Sequence, residues 1–593
     1  MKHLLFLIAA TCLSSAIYAQ LPPIFDDSYN KVAQEDIIDR TYIPPRKVVW
    51  KYAGVDGKLV QNDATLLLAG DGQADVSGHT SYCLLKSTEN EKASIMLDYG
   101  IEIHGGLQLV MGSADSRPSL VRIRFGESIG EANSQTDNVH NRIGFSTDDH
   151  AKRDFVMEIP RDGAIEIGNT GFRFVRIDLL EQNRTIKIKE ARAILRFRNI
   201  PYLGSFKCND ERLNKIWMTA AYTVHLNMQD YLWDGIKRDR LVWLGDMHPE
   251  VMTIKNIFGK NPVVPQSLDY ACKKYPLPEW MNGMSAYSFW YLIIHKEWYH
   301  HYGDLAFLQK HKDYIVGLID NIISHIGEDG SETFGGKFLD WPSTPNKDGV
   351  ESGYRALLVW ALKDAIELCG VLNQPEAAKK CEWGIEHINK KIKPANGLKQ
   401  AASLMALAGT MDAGKACKEV VSVGGAKGFS TFYGYYMLEA LAKAGLQQSA
   451  IDIIRQYWGK MLDLGATTFW EDFNIEWVEN NDVTGIDEMP VKGKKDIHGD
   501  FGAYCYPGYR HSLCHGWSSG PASWLIEHVL GVEIVETGCK TVRVKPFLGD
   551  LEWVEGSYPT PYGVIAISHK KLSNGKIDTK IKAPKGVKVI VGS

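Results

Sequence analysis

From Asn209 to Leu530 the chain is one long succession of segments whose apolar residues recur at three- and four-residue spacing. Examples are RLNKIWMTAAYTVHLNMQ, SAYSFWYLIIHKEWYHHYG, YRALLVWALKDAIELCGVL, STFYGYYMLEALAKAG and GWSSGPASWLIEHVLG. Breaks containing Gly and Pro separate them. Helices in such number can close as a bundle, a solenoid or a double ring, and the lack of fixed-period self-similarity disfavours a solenoid. A chain of 593 residues also exceeds what one core holds, since cores stop growing near ~250–300 residues.

On either side of the helical run the texture changes. Lys47 to Arg198 alternates in short runs such as SLVRIRFGE, DFVMEIP and GFRFVRIDLLE, the period of antiparallel strands, and the tail VRVKPFLGDLEWVEGSYPTPYGVIAISHKK returns to it. The predicted order is an N-terminal β-sandwich (20–203), a helical domain (204–530) and a small C-terminal β domain (531–593). With 45% hydrophobic and 23% charged residues the chain reads as folded, neither disordered nor transmembrane, and a net charge of −4 offers no basic field for nucleic acid or acidic lipid. The opening MKHLLFLIAATCLSSAIYAQ has the layout of a secretory signal (1–19) cut after Ala19, so an exported, periplasmic protein is expected. Its apolar run is short for a membrane anchor, and AAT before Cys12 makes a poor lipobox. The ten cysteines show no C-x-x-C spacing and imply no disulfide framework or zinc site.

Acids beside aromatics recur at distant points of the helical domain. In DGIKRDRLVWLGD, read as helix, Asp239, Trp243 and Asp246 share one face and Asp234 and Arg238 form a second pair. GATTFWEDF sets Glu471 and Asp472 beside Trp470, FLDWPS sets Asp340 beside Trp341, and SLCHGWSSGP sets His515 near Trp517. Glycoside cleavage uses two carboxyl groups, and aromatic rings pack on the apolar faces of sugars. The bland readings are a helix cap and ion pairs for the acids, and core packing for each tryptophan taken singly. The histidines of HKEWYHHYGD lack H-E-x-x-H spacing, so no metal is expected.

The chain resembles a bacterial α-L-rhamnosidase of glycoside hydrolase family 78. The family pattern D-C-P-x-R-E-x-x-x-W-x-G-D is met by Asp234, Arg238, Trp243, Gly245 and Asp246. GATTFWE, CHGWSSG, RIRFGESIGEA, GNTGFRFVRIDLLE and GDLEWVEGSYPTPYGVI extend the likeness over most of the chain. The resemblance implies a multidomain protein with an (α/α)6 barrel catalytic domain flanked by an N-terminal β-sandwich and a small C-terminal β-sandwich domain. It also implies an inverting exo-acting hydrolase that removes terminal rhamnose from rhamnose-containing glycans or glycosides and needs no cofactor.

By that resemblance Asp239 holds the general-acid position and Glu471 the general-base position. Asp234, Asp246 and His515 would bind sugar hydroxyls, Trp243 would stand in the pocket wall, and Arg238 would orient the acids. Asp340, Trp341 and Trp470 join the expected substrate contacts. Two departures stand out: the family has glutamate where this chain has Asp239, and Gly235-Ile236 replaces the C-P. A shorter acid retracts its carboxyl, which leaves Asp246 and Glu250 as nearby substitutes, and Asp472 competes with Glu471 for the role of base. Another exo-glycosidase or a lyase on the same barrel, and a catalytically weakened glycan-binding homologue, are the alternatives.

Overall fold

The computed structural model describes residues 38–75, 80–113, 117–134 and 153–592, and the proposed signal segment lies outside them. Among the described residues the alternating N-terminal sequence forms nine strands: β1 (Ile38–Ile43), β2 (Lys47–Tyr52), β3 (Val60–Gln61), β4 (Cys83–Lys86), β5 (Ser94–Gly112), β6 (Ser119–Gly126), β7 (Asp154–Ile159), β8 (Gly163–Leu179) and β9 (Thr185–Arg198). They join in one antiparallel sheet of order β3-β4-β9-β5-β8-β6-β7, with β1 on β9 and β2 on β5. Strand β5 is long enough to change partner: Ser94–Asp98 lies between β2 and β8, and Gly105–Gly112 lies against β9. The inward residues, among them Leu97, Leu107, Ile123, Phe125, Phe172 and Ile188, share a core separate from that of the barrel.

Six helices close a ring: Met247–Ile257, Ser285–Tyr302, Lys347–Val371, Lys399–Ala408, Gly434–Lys443 and Gly520–Trp524, each against the next and the last against the first. A second set lies outside them. Glu211–Asn227 packs on Gly520–Trp524 and Gln447–Asp463, and Pro375–Asn389 packs on Lys347–Val371 and Lys312–Ser324. Burial sorts the layers as amphipathicity requires. Every residue of Met247–Ile257 is buried, whereas Pro375–Asn389 buries one stripe made of Ala377, Cys381, Gly384, His387 and Ile388. This double ring is the (α/α)6 barrel.

The C-terminal domain is two sheets, and one of them recruits a strand from before the barrel. β10 (Ser205–Cys208) pairs with β15 (Trp553–Thr560), followed by β16 (Gly563–Lys571) and β17 (Ile577–Lys582); β13 (Val532–Glu536), β14 (Thr541–Val544) and β18 (Lys588–Val591) make the other. A two-residue parallel pair, β11 (Val483–Thr484) with β12 (Lys495–Asp496), ties a barrel loop. Val542, Val544, Val554 and Ile565 belong to the same core as the barrel helices.

DGIKRDRLVWLGD is not helical, and the shared-face expectation is corrected accordingly. Asp239 and Arg240 have φ of 55° and 51°, Asp234 N–H donates to Leu241 O at 3.1 Å, and Gly235 bridges His515. A left-handed pair of non-glycine residues cannot continue a right-handed helix. The apolar residues also serve two places: Ile236 packs with Leu226 and Cys514, while Val242 and Leu244 enter the barrel core. Helix starts only at Met247.

Among the described residues no helix is long and apolar enough to cross a membrane, and all nine cysteines are unpaired. The sheet domain is fastened to the barrel by Arg173, whose Nε and Nη2 reach Asp98 at 2.8 and 3.0 Å and whose Nη1 donates to Gly465 O at 2.9 Å. Arg173→Met leaves the buried Asp98 carboxylate without its main partner. A loss of about 3–5 kcal/mol is expected, read as a lowered urea midpoint, and an unchanged midpoint would show the clamp to be dispensable.

Candidate active site

Three irregular segments meet at one mouth of the ring: residues 234–246, 469–472 and 506–517. Glu471 is held first by its backbone, since its N–H donates to Ser512 O at 2.9 Å and its carbonyl accepts Trp517 Nε1 at 2.9 Å and Thr431 Oγ1 at 2.5 Å. Its Oε2 accepts the Ser512 N–H at 3.1 Å and pairs with Arg238 Nη2. Burial pushes this carboxyl up, but Arg238, with His515 and His511 behind it, outweighs burial and holds it at about 2. Glu471 is therefore ionised across the ordinary pH range.

The same guanidinium reaches the other acid. Arg238 Nη1 lies 3.2 Å from Asp239 Oδ1, and Arg510 Nη2 lies 3.6 Å from that oxygen. Arg238 is fully enclosed: its Nε donates to Arg510 O at 2.8 Å and its plane stacks on Tyr506 at 3.8 Å. The Asp239 side chain is 11% exposed against 2% for Glu471, so Asp239 stands at the rim and Glu471 on the floor.

Asp246 accepts Tyr287 OH at 2.9 Å and His515 Nε2 at 3.0 Å. Burial pushes Asp246 up against the pull of His515 and Tyr287; burial also opposes the charged imidazole, but Glu471, Asp246 and Asp234 together raise His515 above its ordinary value. Asp234 accepts Leu241 N–H at 3.0 Å, and burial followed by the neighbouring Asp239 pushes it well above the carboxylate range. Trp243 meets Tyr287 edge-on at 6.0 Å, and Trp341 bridges Phe338 at 5.2 Å and Tyr506 at 5.7 Å.

These groups enclose a hollow of about 280 Å³ lined by Asp234, Arg238, Asp239, Trp243, Asp246, Asn282, Met284, Tyr287, Phe338, Trp341, Glu471, Tyr506, His515 and Trp517. Eight of the ten residues singled out in the sequence line it. Asp340 does not: it is buried, bonded to Ser430 Oγ at 2.6 Å, Gln400 Nε2 at 2.9 Å and Ser343 N–H at 3.0 Å, and fastens the 340–343 turn. Trp470 is also outside the lining, buried edge-on against Phe473 at 5.7 Å. The competing acids stand back as well. Asp472 is bonded to Tyr504 OH and pushed by burial to about 7, and Glu250 is buried behind Gly516, where an added Cβ would meet its Oε1 at 1.5 Å.

Tyr287, Tyr506, Asn282 and Met284 were not singled out. Tyr287 and Met284 sit at the start of a helix whose pattern reads as core, and Asn282 announces itself only as an Asn-Gly turn with φ of 54°. The histidines of HKEWYHHYGD disperse to the carbonyls of Tyr291, Ile534 and Pro559. Among the described residues, Glu127, Glu131 and His498 are close enough together to hold a cation, but Lys237 Nζ sits 2.9 Å from Glu127 and 3.4 Å from Glu131.

A closed double ring of helices with ionised and aromatic side chains around a hollow makes this an (α/α)6-barrel protein. Residues 201–529 match the bacterial alpha-L-rhamnosidase 6 hairpin glycosidase domain, and residues 531–592 match the bacterial alpha-L-rhamnosidase C-terminal domain. The chain belongs to the bacterial α-L-rhamnosidase family. Among solved structures it is similar to the GH78 family rhamnosidase of Bacillus sp. GL1 (23% identity, TM-score 0.72, covering 89% of this chain and 55% of that one). It is similar too to the rhamnosidase from Klebsiella oxytoca with rhamnose bound (18% identity, TM-score 0.63, covering 82% of this chain and 95% of that one). A third is the Streptomyces avermitilis alpha-L-rhamnosidase complexed with L-rhamnose (15% identity, TM-score 0.65, covering 86% of this chain and 50% of that one). This chain thus spans about half the length of the Bacillus and Streptomyces proteins, and at these identities the likeness is one of fold. No curated protein sequence matches it significantly.

Proposed function

We propose that the protein is an exo-acting α-L-rhamnosidase that removes terminal α-L-rhamnose from plant-type glycans or rhamnosides with inversion at the anomeric carbon. The observation that carries this is the pair Glu471 and Asp239 on two nitrogens of one buried guanidinium, at the floor and rim of the hollow. Its volume of about 280 Å³ lies just below the ~300–1,000 Å³ of typical small-molecule sites, which suits one sugar ring and favours attack at a chain end. The rhamnose bound in the Klebsiella and Streptomyces proteins of the same fold supports the choice of sugar. Met284, Phe338 and Trp341 give the hollow an apolar side suited to a 6-deoxy sugar.

In the reaction, Glu471 takes a proton from water as the water oxygen bonds to the anomeric carbon. The bond from that carbon to the glycosidic oxygen breaks, and Asp239 delivers its proton to the departing oxygen. An acid at the rim meets the leaving group, which extends outward, while an ionised base on the floor faces the opposite side of the ring. Arg238 stands between the two carboxyls, and inversion requires them ~6.5–9.5 Å apart so that a water is admitted. The Asp239 backbone lies in the left-handed region, and its short side chain faces Arg238 and Arg510. We further propose export to the periplasm after cleavage following Ala19, for which the test is a mature N-terminus at Gln20 by mass spectrometry.

On a natural rhamnosylated glycan, Asp239→Asn and Glu471→Gln are each expected to lower kcat by about 10²–10⁴-fold. On an activated aryl α-L-rhamnoside, Asp239→Asn loses much less, because such a leaving group needs little protonation. Undiminished glycan hydrolysis by Asp239→Asn would remove the acid assignment, and NMR showing the α-anomer as first product would remove inversion. A base held at about 2 stays ionised until the pH falls through that value. The acid limb of kcat/KM in the wild type should accordingly lie well below the ordinary glutamate value of ~4.3, and a limb at that value would contradict the grip of Arg238 on Glu471.

A further inference from the structure

The active site of the barrel reaches into the sheet domain. Glu127 and Glu131 follow β6, in the turn and short helix Ile129–Asn133, and neither exposes any surface. Glu131 is engaged mainly locally: its N–H donates to Ser128 Oγ at 3.1 Å and its Oε2 accepts Glu127 N–H at 2.8 Å, while its Oε1 lies 3.4 Å from Lys237 Nζ. Glu127 makes the closer contacts with the barrel. Its Oε2 lies 2.9 Å from Lys237 Nζ and accepts the Leu513 N–H at 2.7 Å. Lys237 Nζ in turn donates to Tyr509 O and His511 O, both at 2.6 Å, and His498 closes the cluster with Nδ1 on Ser128 Oγ at 2.7 Å and Nε2 on His511 O at 2.8 Å.

The neighbours in sequence give this cluster its meaning. Lys237 precedes Arg238 and Leu513 follows Ser512, and Arg238 Nη2 and Ser512 N–H are the two donors to Glu471 Oε2. One carboxylate of the sheet domain therefore grips both loops one residue away from both groups that hold the base. A buried ion pair adds little to stability over an apolar pair of the same shape, and in some proteins it serves instead to fix register.

We propose that Glu127 is a positioning residue of the barrel's active site, acting through Lys237 and the Leu513 amide to seat Arg238 and Ser512 on Glu471, so that the sheet domain completes the catalytic centre. For its kinetic readout this rests on the rhamnosidase reading. The groups facing Glu471 are Arg238, Asp246, Asp472, Cys505, Tyr506, His511 and His515; those facing Glu127 are Lys237, Glu102, Glu131, His498 and Cys514.

The test compares Glu127→Gln, Lys237→Met and the charge-neutral double variant in the full-length protein. Misplacing a reacting group by about 1 Å costs on the order of 10²-fold, so Glu127→Gln should lower kcat by about 10–100-fold with KM within about twofold. The acid limb should rise toward ~4.3 as Arg238 loosens from Glu471. Lys237→Met should do the same, and the double variant should be no worse than the worse single one, because both act through one connection. Unchanged kcat and acid limb in a folded Glu127→Gln, or losses that multiply in the double variant, would overturn the proposal. Should Glu127→Gln fail to fold, the charge-neutral double variant carries the same comparison. A crystal structure of the variant separates this claim from the choice of substrate: the Arg238–Glu471 contact is lost if Glu127 positions it and kept if Glu127 is only structural. Wild-type protein inactive on every α-L-rhamnoside would overturn the rhamnosidase reading alone.

Discussion

The Arg238 guanidinium sits where the loop 234–246, the segment 469–472 and the segment 506–517 meet, and it is enclosed on every side. A buried cation of this kind is costly unless its neighbours neutralise it. Here Glu471 supplies the charge, Asp239 Oδ1 lies beside a second nitrogen, Arg510 O accepts one donor, and the Tyr506 ring covers one face. Glu471 gains as much as Arg238 does: without that charge, burial would drive its carboxyl up. The state of the proposed base and the integrity of the loops are thus one electrostatic arrangement.

That arrangement constrains the surrounding fold. The loop carrying Arg238 and Asp239 spends two residues in the left-handed region, a backbone cost that persists only where the environment overdetermines it. The overdetermination comes from both sides. Met247–Ile257, buried along its whole length, anchors the loop's end in the inner ring, and Ile236 and Lys237 anchor its beginning against the sheet domain. Asp246, directly before that helix, is joined by Tyr287 and His515 from two other elements, so the hollow is braced by side chains from around the ring.

Much of this was legible in the sequence because the signals were periodic or clustered. The long helical run and the flanking alternation marked the domain order but left a bundle and a double ring both open, and the resemblance carried by DGIKRDRLVWLGD and GATTFWE pointed to the double ring. The failures were local and had physical causes. Spacing suggested a helix through DGIKRDRLVWLGD, but its apolar residues serve two cores, so a loop won over local periodicity. Asp340 beside Trp341 and Trp470 beside Glu471 looked alike as acid and aromatic pairs; only packing shows that one member of each pair turns away from the hollow. Tyr287 and Tyr506 were silent because an aromatic in an apolar helix or an exposed loop carries no mark of what its ring will cover. Nor could sequence show that Glu127, over a hundred residues from Lys237, would be its partner.

The central claim is that Asp239 and Glu471 flank the scissile bond from opposite faces. The most direct measurement is a crystal structure of Asp239→Asn soaked with an intact α-L-rhamnoside. The account predicts the glycosidic oxygen within hydrogen-bonding reach of position 239, and a water held by Glu471 on the far face of the anomeric carbon. A glycosidic oxygen resting instead on Asp246, or Glu471 in contact with the anomeric carbon with no room for water, would contradict it.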